Sequence, residues 1–274
     1  MTGDVAPAHP LILGRYSEND LLVMFAEAAV LESIEKRGFV DPAFEFDASQ
    51  GPLVHARLLA SKGGRRFLLL DTCLTRFRLE ARDAAACGYT GAAPLDLIVI
   101  NWLREQDPTA AFDPGHERLP LQEHPGLGVL RRAFRVALRI AKETGVHGIA
   151  ALPKFFHDAA IFYRSRLFLF LDPREQGRFE ALLRDLGALS LGDASLALLG
   201  NAVRVAAGSP VTWHGGLQVM PLSPVLTEYF HSNGYQATCR DACESSRFVV
   251  DSAALVAARQ VFDRSVSNVA SAEG

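Results

Sequence analysis

The segment from Leu95 to Pro173 constrains the fold of this chain more than any other part of the sequence. Residues 95–103 form an apolar run typical of a strand that is buried on both faces. After a long polar loop, the sequence Gln-Glu-His-Pro-Gly-Leu-Gly at 122–128 leads directly into an amphipathic helix. A short strand, a helix and another short strand follow. This alternation predicts an α/β protein built on a mixed sheet with helices on both faces.

The residues before this segment predict one helix and three strands. Apolar residues recur at helical spacing over 20–37, and the glycine that follows ends the pattern. Strand-like runs occupy 40–46, 53–60 and 66–79, and the sequence Ser-Lys-Gly-Gly between the last two is typical of a hairpin turn. All three strands are therefore expected in one sheet with the strand at 95–103.

The sequence after Asp172 predicts an α/β extension. Helices are expected at 173–186, 193–206 and 252–264, and strands at 210–219 and 247–250. The predicted organisation is therefore a core over 11–172 and an extension over 173–264 that packs on it. The ends, 1–10 and 265–274, are expected to be disordered.

Composition and charge exclude several classes of protein. The 274 residues carry a net charge of −3, so no global positive field favours nucleic acid as a partner. No apolar run approaches the ~20 residues that cross a bilayer, and residues 1–10 lack the basic and apolar regions of a secretory signal. Cys239 and Cys243 have a C-x3-C spacing without a second ligand pair, which favours reduced thiols over zinc. We therefore expect a cytoplasmic protein without a membrane anchor.

The glycine turn before the helix at 129–144 is the strongest candidate binding site. Gly126 and Gly128 permit a close backbone approach, and the helix presents free N–H groups and its positive dipole end. Such a turn binds phosphate or pyrophosphate, or it serves only to reverse the chain. It is neither a dinucleotide-binding fingerprint nor a P-loop, because the third glycine and the Gly-Lys-Ser/Thr sequence are absent.

Three polar residues near the turn are candidates for chemistry. Tyr163 lies on the helix after the turn, and its phenol could protonate a leaving thiolate. Glu105 follows the apolar strand and is a candidate general base, while Asn101 interrupts that strand where a cleft is expected. Each also fits a structural role: a core tyrosine, a solvated charge and the end of a strand.

Basic and imidazole side chains offer further candidates. Four arginines of the helix form a basic strip that is either a solvated face or a contact to a 3′-phosphate: Arg131, Arg132, Arg135 and Arg139. The histidines His55, His124 and His157 are candidate bases or ligands, although no metal-binding spacing links them. Carboxylates and two histidines of the loop, His116 and His124, leave a metal site open.

The order of these motifs resembles the GCN5-related N-acetyltransferase (GNAT) superfamily over roughly 15–172. In that family a strand leads to an Arg/Gln-x-x-Gly-x-Gly/Ala loop, whose backbone amides bind the pyrophosphate of CoA, and a long helix follows. The sequence Glu123-His-Pro-Gly-Leu-Gly128 is similar to this loop, and Phe162-Tyr163 is similar to a Phe-Tyr pair that the family often carries. Glu123 departs from the pattern at the first loop position, and the stretch before the loop is longer than usual.

This resemblance implies an acyltransferase that moves an acyl group from a CoA-like thioester to an amine. CoA or acyl-CoA would be a substrate held by the loop residues Glu123, His124, Gly126, Leu127, Gly128 and Val129, and by His157, which stands where the family often has asparagine. Tyr163 would protonate the thiolate, backbone groups near Asn101 would polarise the thioester carbonyl, and Glu105 or a water molecule would accept the amine proton. No metal is expected. The partner would be a small-molecule amine or thioester, and a homodimer is compatible with this interpretation.

Two other functions stay open from the sequence. The same fold with an altered loop fits a non-catalytic ligand-binding or scaffold protein, and the acidic Glu123 favours this alternative. A metal-dependent hydrolase that uses His116, His124 and His157 is the third candidate. An acyl-CoA turnover assay distinguishes the non-catalytic protein from an acyltransferase, and metal analysis of the purified protein tests the hydrolase.

Overall fold

The computed structural model describes residues 10–49, 53–91, 93–113, 117–165, 167–206 and 208–272, with side chains described up to Arg264. The helices are α1 (Glu18–Glu27), α2 (Val30–Glu35), α3 (Ala81–Ala86), α4 (Leu130–Thr144), α5 (Phe156–Arg164), α6 (Pro173–Asp185), α7 (Leu191–Leu199), α8 (Pro224–His231), α9 (Asn233–Ser245) and α10 (Ser252–Ala272). The strands are β1 (Val40–Asp47), β2 (His55–Lys62), β3 (Arg65–Leu79), β4 (Leu95–Glu105), β5 (Gly148–Ala151), β6 (Leu169–Phe170), β7 (Val203–Val205), β8 (Gln218–Pro221) and β9 (Phe248–Val250).

Seven strands form one mixed sheet in the order β1-β2-β3-β4-β5-β8-β6, and β7 pairs with β9 separately. The pairs β1/β2, β2/β3 and β6/β8 are antiparallel. Strand β8 comes from the segment after residue 172 and lies between β5 and β6, so this segment supplies part of the sheet. The mixed sheet flanked by helices confirms the predicted α/β class.

The hairpin between β2 and β3 confirms the turn predicted from Ser-Lys-Gly-Gly. Gly63 and Gly64 both have positive φ angles, 58° and 75°, as a type I′ turn requires. The register shifts between Leu58 and Leu59, and pairing then continues to His55 opposite Cys73. The hairpin thereby fixes which side chains of β2 and β3 share a face.

The first of two compact units contains the described residues of Met1–Arg78, Asp96–Ala111 and His124–Ile149. Its core holds buried side chains of α1, the strands and α4, including Phe25, Leu70 and Ile140. A small, almost wholly apolar cavity of about 60 Å³ lies among these elements. Since one water molecule needs roughly 15 Å³ of such volume, the cavity has room for roughly four non-hydrogen atoms.

The second unit contains the described residues of Leu79–Leu95, Phe112–Glu123 and Ala150–Gly274. Its core is rich in aromatic rings: the centroid of Phe179 lies 5.7 Å from that of Phe156 and 5.2 Å from that of Phe170, and all three side chains are buried. Helices α6 and α9 pack closely in this unit. A Cβ on Gly177 of α6 would lie 2.1 Å from the carbonyl oxygen of Cys239 on α9, so the two backbones approach too closely for any side chain.

The single helix predicted over 20–37 is wrong, because the chain forms α1 and α2 instead. Ser17 and Asp20 build a capping box that starts α1 at Glu18, before the predicted start at residue 20. Ala29 then adopts a left-handed conformation, with φ 58°, and separates the two helices. Nothing in the sequence around this alanine indicates the break.

The helix predicted over 193–206 is too long. Helix α7 ends at Leu199, because Gly200 caps it and Asn201 turns the chain with a φ of 53°. The β-branched residues that follow pair with β9 as strand β7. The sequence Gly200-Asn201 is a signal for the end of a helix, but the apolar periodicity around it favours a longer helix.

The strand predicted over 210–219 is wrong over most of its length, and two helices were missed. Only Gln218 and Val219 of that range belong to a strand, β8. Helices α8 and α9 occupy residues 224–245, where the sequence predicts no helix or strand. Because α9 packs with small residues against Gly177, its sequence lacks the large apolar stripe that identifies most helices.

Other predictions about chain organisation are not decided by the fold. The boundary between a core and an extension at 172/173 stays a prediction. Helix α10 continues to Ala272, past its predicted end at Arg264, while residues 1–9 and 273–274 of the predicted disordered ends lie outside the described residues. None of the described helices has both the length and the apolar character of a membrane span.

Candidate functional site

The glycine turn forms a compact group of backbone N–H donors at the start of α4. Gly128 has a φ of 68°, which L-residues adopt only with strain, and Val129 is the N-cap of the helix. Leu127 and Val129 are buried, whereas Gly126 and Gly128 are exposed. The turn is therefore anchored by its two apolar side chains and presents its backbone between them.

A carboxylate of the chain itself occupies the centre of this turn. The N–H of Val129 donates to Oε1 of Glu105 at 2.9 Å, and the N–H groups of Gly128 and Leu127 also face the Glu105 carboxylate. Burial raises the pKa of Glu105 above its ordinary value, while these three N–H groups and Arg37 oppose the rise. The predicted anion site is thus formed, and Glu105 lies where an anion would bind.

A salt bridge between Arg37 and Asp107 lies next to the turn. Nη1 of Arg37 donates to Oδ2 of the buried Asp107 at 3.1 Å, and Nη2 of the same guanidinium lies 3.9 Å from a Cβ built on Gly128. The N–H of Asp107 donates to the carbonyl oxygen of Pro125 at 2.6 Å. Burial raises the pKa of Asp107, but the Thr109 and Arg37 donors outweigh it and hold the pKa below its ordinary value. An ionised Asp107 therefore places a cation beside the turn.

Arg37 is a residue that the sequence analysis missed. At the first position of the loop, where the GNAT motif that it resembles has a basic or amide side chain, this chain has Glu123, which is exposed and lies in the second unit. Arg37 follows α2, far from the loop in sequence. Its charge could only have been assigned to the turn once the fold brought the two segments together.

The raised pKa of Glu105 predicts how stability depends on pH. Below the unfolded value near 4.5, the carboxyl is neutral in both states and its contribution to stability is complete; the contribution is lost as pH rises through the raised folded pKa. We therefore expect Glu105→Gln to gain stability relative to the unaltered chain as pH rises. Urea unfolding at pH 5 and pH 8 measures this difference.

A matched control for this experiment is Glu45→Gln on the edge strand β1, where the carboxylate is exposed. It removes the same charge without releasing a buried group. A difference for Glu105→Gln that does not change between the two pH values, or that follows the Glu45→Gln control, would contradict the assignment.

Asn101 lies on a polar face of the sheet within the first unit. Its Nδ2 donates to Oγ1 of Thr75 at 2.8 Å, and Nε1 of the neighbouring Trp102 donates to Oδ2 of Asp71 at 3.1 Å. Ile100 and Leu103 line the apolar cavity on the opposite face, so the strict alternation of β4 breaks between them. The break places two consecutive polar side chains, Asn101 and Trp102, on the same face.

Tyr163 is half-buried in the second unit and its hydroxyl has a partner. The hydroxyl donates to Oε1 of Glu180 at 3.1 Å, and the ring packs edge-on against Phe179. Burial, with the Glu180 charge, raises the pKa of Tyr163 to about 12. The phenol therefore holds its proton at neutral pH, which suits an acid, but the proton points to a carboxylate.

The same carboxylate gathers two further donors. Nε2 of Gln176 donates to Glu180 at 2.8 Å, and the thiol of Cys239 lies 3.5 Å from its second oxygen. Burial, then the nearby Glu180, raises the pKa of Cys239 to about 12. Cys239 and Cys243 are free cysteines, and Cys239 is a protonated thiol at neutral pH.

His157 is buried, with partners at both ring nitrogens. Nδ1 lies 2.7 Å from Oγ of the fully buried Ser195, Nε2 lies 3.4 Å from Asp158, and the ring stacks on Phe155. Burial lowers the pKa of His157. Any ligand would have to displace these partners, so the predicted CoA contact of His157 stays a prediction.

The structure brings together part of the predicted site. Glu105, Gly126, Leu127, Gly128 and Val129 meet in the first unit, which also holds Asn101 and the half-buried His124. Tyr163, His157 and Glu123 belong to the second unit. Their contribution to one site with the turn stays a prediction.

The metal alternative gains no cluster from the fold. Among the described residues, no group of three or more His, Cys, Asp or Glu side chains is arranged to hold a metal ion. His116, one of its three proposed ligands, lies outside the described residues.

Comparison with known proteins gives little further guidance. No family model matches the chain, and no curated protein matches it. A solved structure described as AtaT complexed with acetyl-methionyl-tRNAfMet is similar at 13% identity and a TM-score of 0.28, over 58% of this chain and 80% of the other. A likeness of that size carries no argument about function.

Proposed function

We propose that this chain binds an acyl-CoA-like thioester through the turn at 126–129 and transfers the acyl group to an amine. The observation that carries the proposal is a carboxylate at the start of α4 that accepts a hydrogen bond from the Val129 N–H and is faced by the N–H groups of Gly128 and Leu127. Donors so arranged, beside the Arg37 guanidinium, match the anionic oxygens of a diphosphate. The order of motifs around the turn, which resembles the GNAT superfamily, makes CoA the anion of choice.

In this proposal the diphosphate replaces Glu105 in the turn. Glu105 is then the anion that occupies the turn in the unliganded chain, and the acceptor's proton goes to another group. Tyr163 is proposed as the acid that protonates the leaving thiolate, after its hydroxyl leaves Glu180. Backbone groups near Asn101 would polarise the thioester carbonyl. The acceptor is proposed to be a small-molecule amine.

Titration calorimetry with CoA and acetyl-CoA tests the proposal, with variants in which a glycine before or after α4 is replaced. A Cβ on Gly126 would lie 3.9 Å from the N–H nitrogen of Gly128 and 4.0 Å from Glu105, without a clash. We therefore expect Gly126→Leu to fold normally and to abolish CoA binding, because its side chain fills the space of the anion. The unaltered chain should bind both ligands.

Gly145 supplies the control for conformational strain. Gly128 and Gly145 flank the same helix with φ angles of 68° and 65°, so alanine at either should cost about 1–2 kcal/mol of stability. Only Gly128→Ala should weaken CoA binding. A folded unaltered chain that binds neither ligand would overturn the proposal, and so would equal CoA affinity in Gly126→Leu.

The non-catalytic alternative is favoured by a specific observation. Glu105 already satisfies the turn and Tyr163 already donates to Glu180, so the turn and the proposed acid each have an internal partner. A ligand-binding protein would bind acetyl-CoA without releasing its thiol. Free thiol is therefore assayed in the presence of primary amines alongside the titrations.

A further inference from the structure

We propose that His55, oriented by Asp71, is the general base that accepts the proton of the attacking amine. This assignment rests on the proposed function, and it fills the role that Glu105 leaves when it serves as an anion in the turn. The base lies on β2, its orienting partner on β3, and both share the polar face of the sheet that carries Asn101.

The geometry of the pair is that of a base and an orienting carboxylate. Nδ1 of His55 lies 2.9 Å from Oδ1 of Asp71, whose side chain is only 8% exposed. A carboxylate can only accept, so in the neutral imidazole the proton is on Nδ1 and the lone pair is on Nε2. Within the described part of the chain, no group bonds to Nε2 of His55, and 19% of the side chain is exposed. The lone pair is therefore available to a substrate.

The second carboxylate oxygen of Asp71 connects the His55–Asp71 pair to β4, the strand along which the thioester is proposed to lie. Oδ2 of Asp71 accepts from Nε1 of Trp102, a half-exposed ring next to Asn101. Cys73 stands opposite His55 in the β2/β3 register and contacts the Asn101 side chain. His55, Asp71, Cys73, Asn101 and Trp102 thus form one continuous polar cluster.

The distance along β4 fits the length of the donor. Glu105 marks the position of the diphosphate, and Asn101 lies four residues earlier on the same strand, a rise of about 13 Å. An extended pantetheine arm that ran along this strand would bring the thioester to the level of Asn101. The turn and α4 lie on the cavity face of the sheet, so in this proposal the end of the arm passes beside β4 to the polar face, where the attacking amine lies within reach of the cluster.

The chemical step balances without a further reactant. The amine nitrogen forms a bond to the thioester carbonyl carbon, and its proton passes to Nε2 of His55. The C–S bond breaks, the thiolate leaves and takes a proton from the proposed acid Tyr163. His55 then returns its proton to solvent, and Tyr163 takes one up from solvent, so that both groups are restored. Asp71 acts as a positioning residue, because it fixes the tautomer and stabilises the imidazolium that forms.

The titratable and charged groups near His55 come from its own strand, β2, and from the two strands that flank it, β1 and β3. Asp47 stands opposite it on β1, Arg57 follows on β2 and pairs with Asp47 at 2.7 Å, and Asp71 and Cys73 face it from β3. Two carboxylates and one guanidinium thus surround one imidazole. The charges of Asp47 and Arg57 must therefore be retained when the pH profile of the Asp71→Asn variant is measured.

The first test follows histidine imidazole resonances by NMR during a titration with acetyl-CoA. His55→Gln assigns the His55 signal, and we expect that signal to shift on binding. His231→Gln is the control, since His231 is exposed on α8 in the second unit. No CoA binding by the unaltered chain overturns the proposed function together with this assignment. Binding that leaves the His55 signal unchanged overturns the assignment alone.

The second test measures thiol release from acetyl-CoA with a panel of primary amines. His55→Gln should lower kcat by about 10²- to 10⁴-fold with an unchanged Kd for CoA. Asp71→Asn should lower kcat and alter the acid limb of the pH profile, which a purely structural role would not move. His231→Gln should retain full activity. Unchanged kcat in a folded His55→Gln variant overturns the assignment, and so does an unchanged pH profile in Asp71→Asn.

Discussion

Glu105→Gln is expected to bind CoA about tenfold more tightly than the unaltered chain. In the unaltered chain a ligand must break the hydrogen bond from the Val129 N–H to the Glu105 carboxylate and move that carboxylate away from two further N–H groups, and a hydrogen bond to a charged group is worth about 1.5–3 kcal/mol. Glutamine is nearly identical in shape but neutral, so it competes less strongly. It also removes a negative charge that would repel the diphosphate. About 1.4 kcal/mol of this difference gives the factor of ten.

The pH dependence of binding gives this prediction a second readout. Burial raises the pKa of Glu105, so the carboxyl is neutralised on acidification earlier than an exposed glutamate. The affinity advantage of Glu105→Gln should therefore shrink as pH falls from 8 to 5. Glu45→Gln, three strands away on β1, removes the same charge and should leave affinity unchanged. Weaker binding by Glu105→Gln would mean that the carboxylate helps to hold the ligand.

Gly177→Ala is expected to lower the free energy of unfolding by about 3 kcal/mol or more. The added methyl group would meet the carbonyl oxygen of Cys239 at 2.1 Å, Ala242 at 2.8 Å and the nitrogen of Cys243 at 2.9 Å. Two of these neighbours are backbone atoms, which cannot rotate away, so α6 and α9 must separate. Overpacking of this kind typically costs about 1–3 kcal/mol, and backbone contacts place it at the upper end. Urea or thermal unfolding measures the loss.

Gly234→Ala is the matched control for that substitution. Gly234 lies in the first turn of α9, and a Cβ there would meet nothing within 4 Å. Alanine has the higher helix propensity, so this variant should gain about 0.5–1 kcal/mol. Equal stability changes in the two variants would show that α6 and α9 do not pack as closely as the structure has them.

The sequence predicts the elements whose signals are local. The hairpin at Gly63–Gly64, strand β4 and helix α4 with its terminal Gly145 all carry the turn residues or periodicity that their conformations require. The proline and the preceding aspartate that start α6 belong to the same class. Each of these elements is specified by residues within a few positions of one another.

Features that depend on contacts between distant segments could not be predicted. Helix α9 is stabilised by a close approach to Gly177, and the left-handed turn at Ala29 has no local signal. The glycine turn was predicted as an anion site, but its occupant, Glu105, comes from the end of β4 and its neighbouring cation, Arg37, from beyond α2. The pairing of His55 with Asp71 needed the β2/β3 register.

If the turn binds an anion as proposed, the Glu105 carboxylate also sets a minimum number of contacts that a ligand must make in order to bind. Small anions such as inorganic phosphate are abundant in any cell, and an open set of N–H donors would collect them. Here a small anion would exchange one set of charged contacts for another and gain little. Only a molecule that adds contacts elsewhere gains enough to displace Glu105. The protein would thus discriminate against free phosphate because its own carboxylate occupies the turn in the unliganded state.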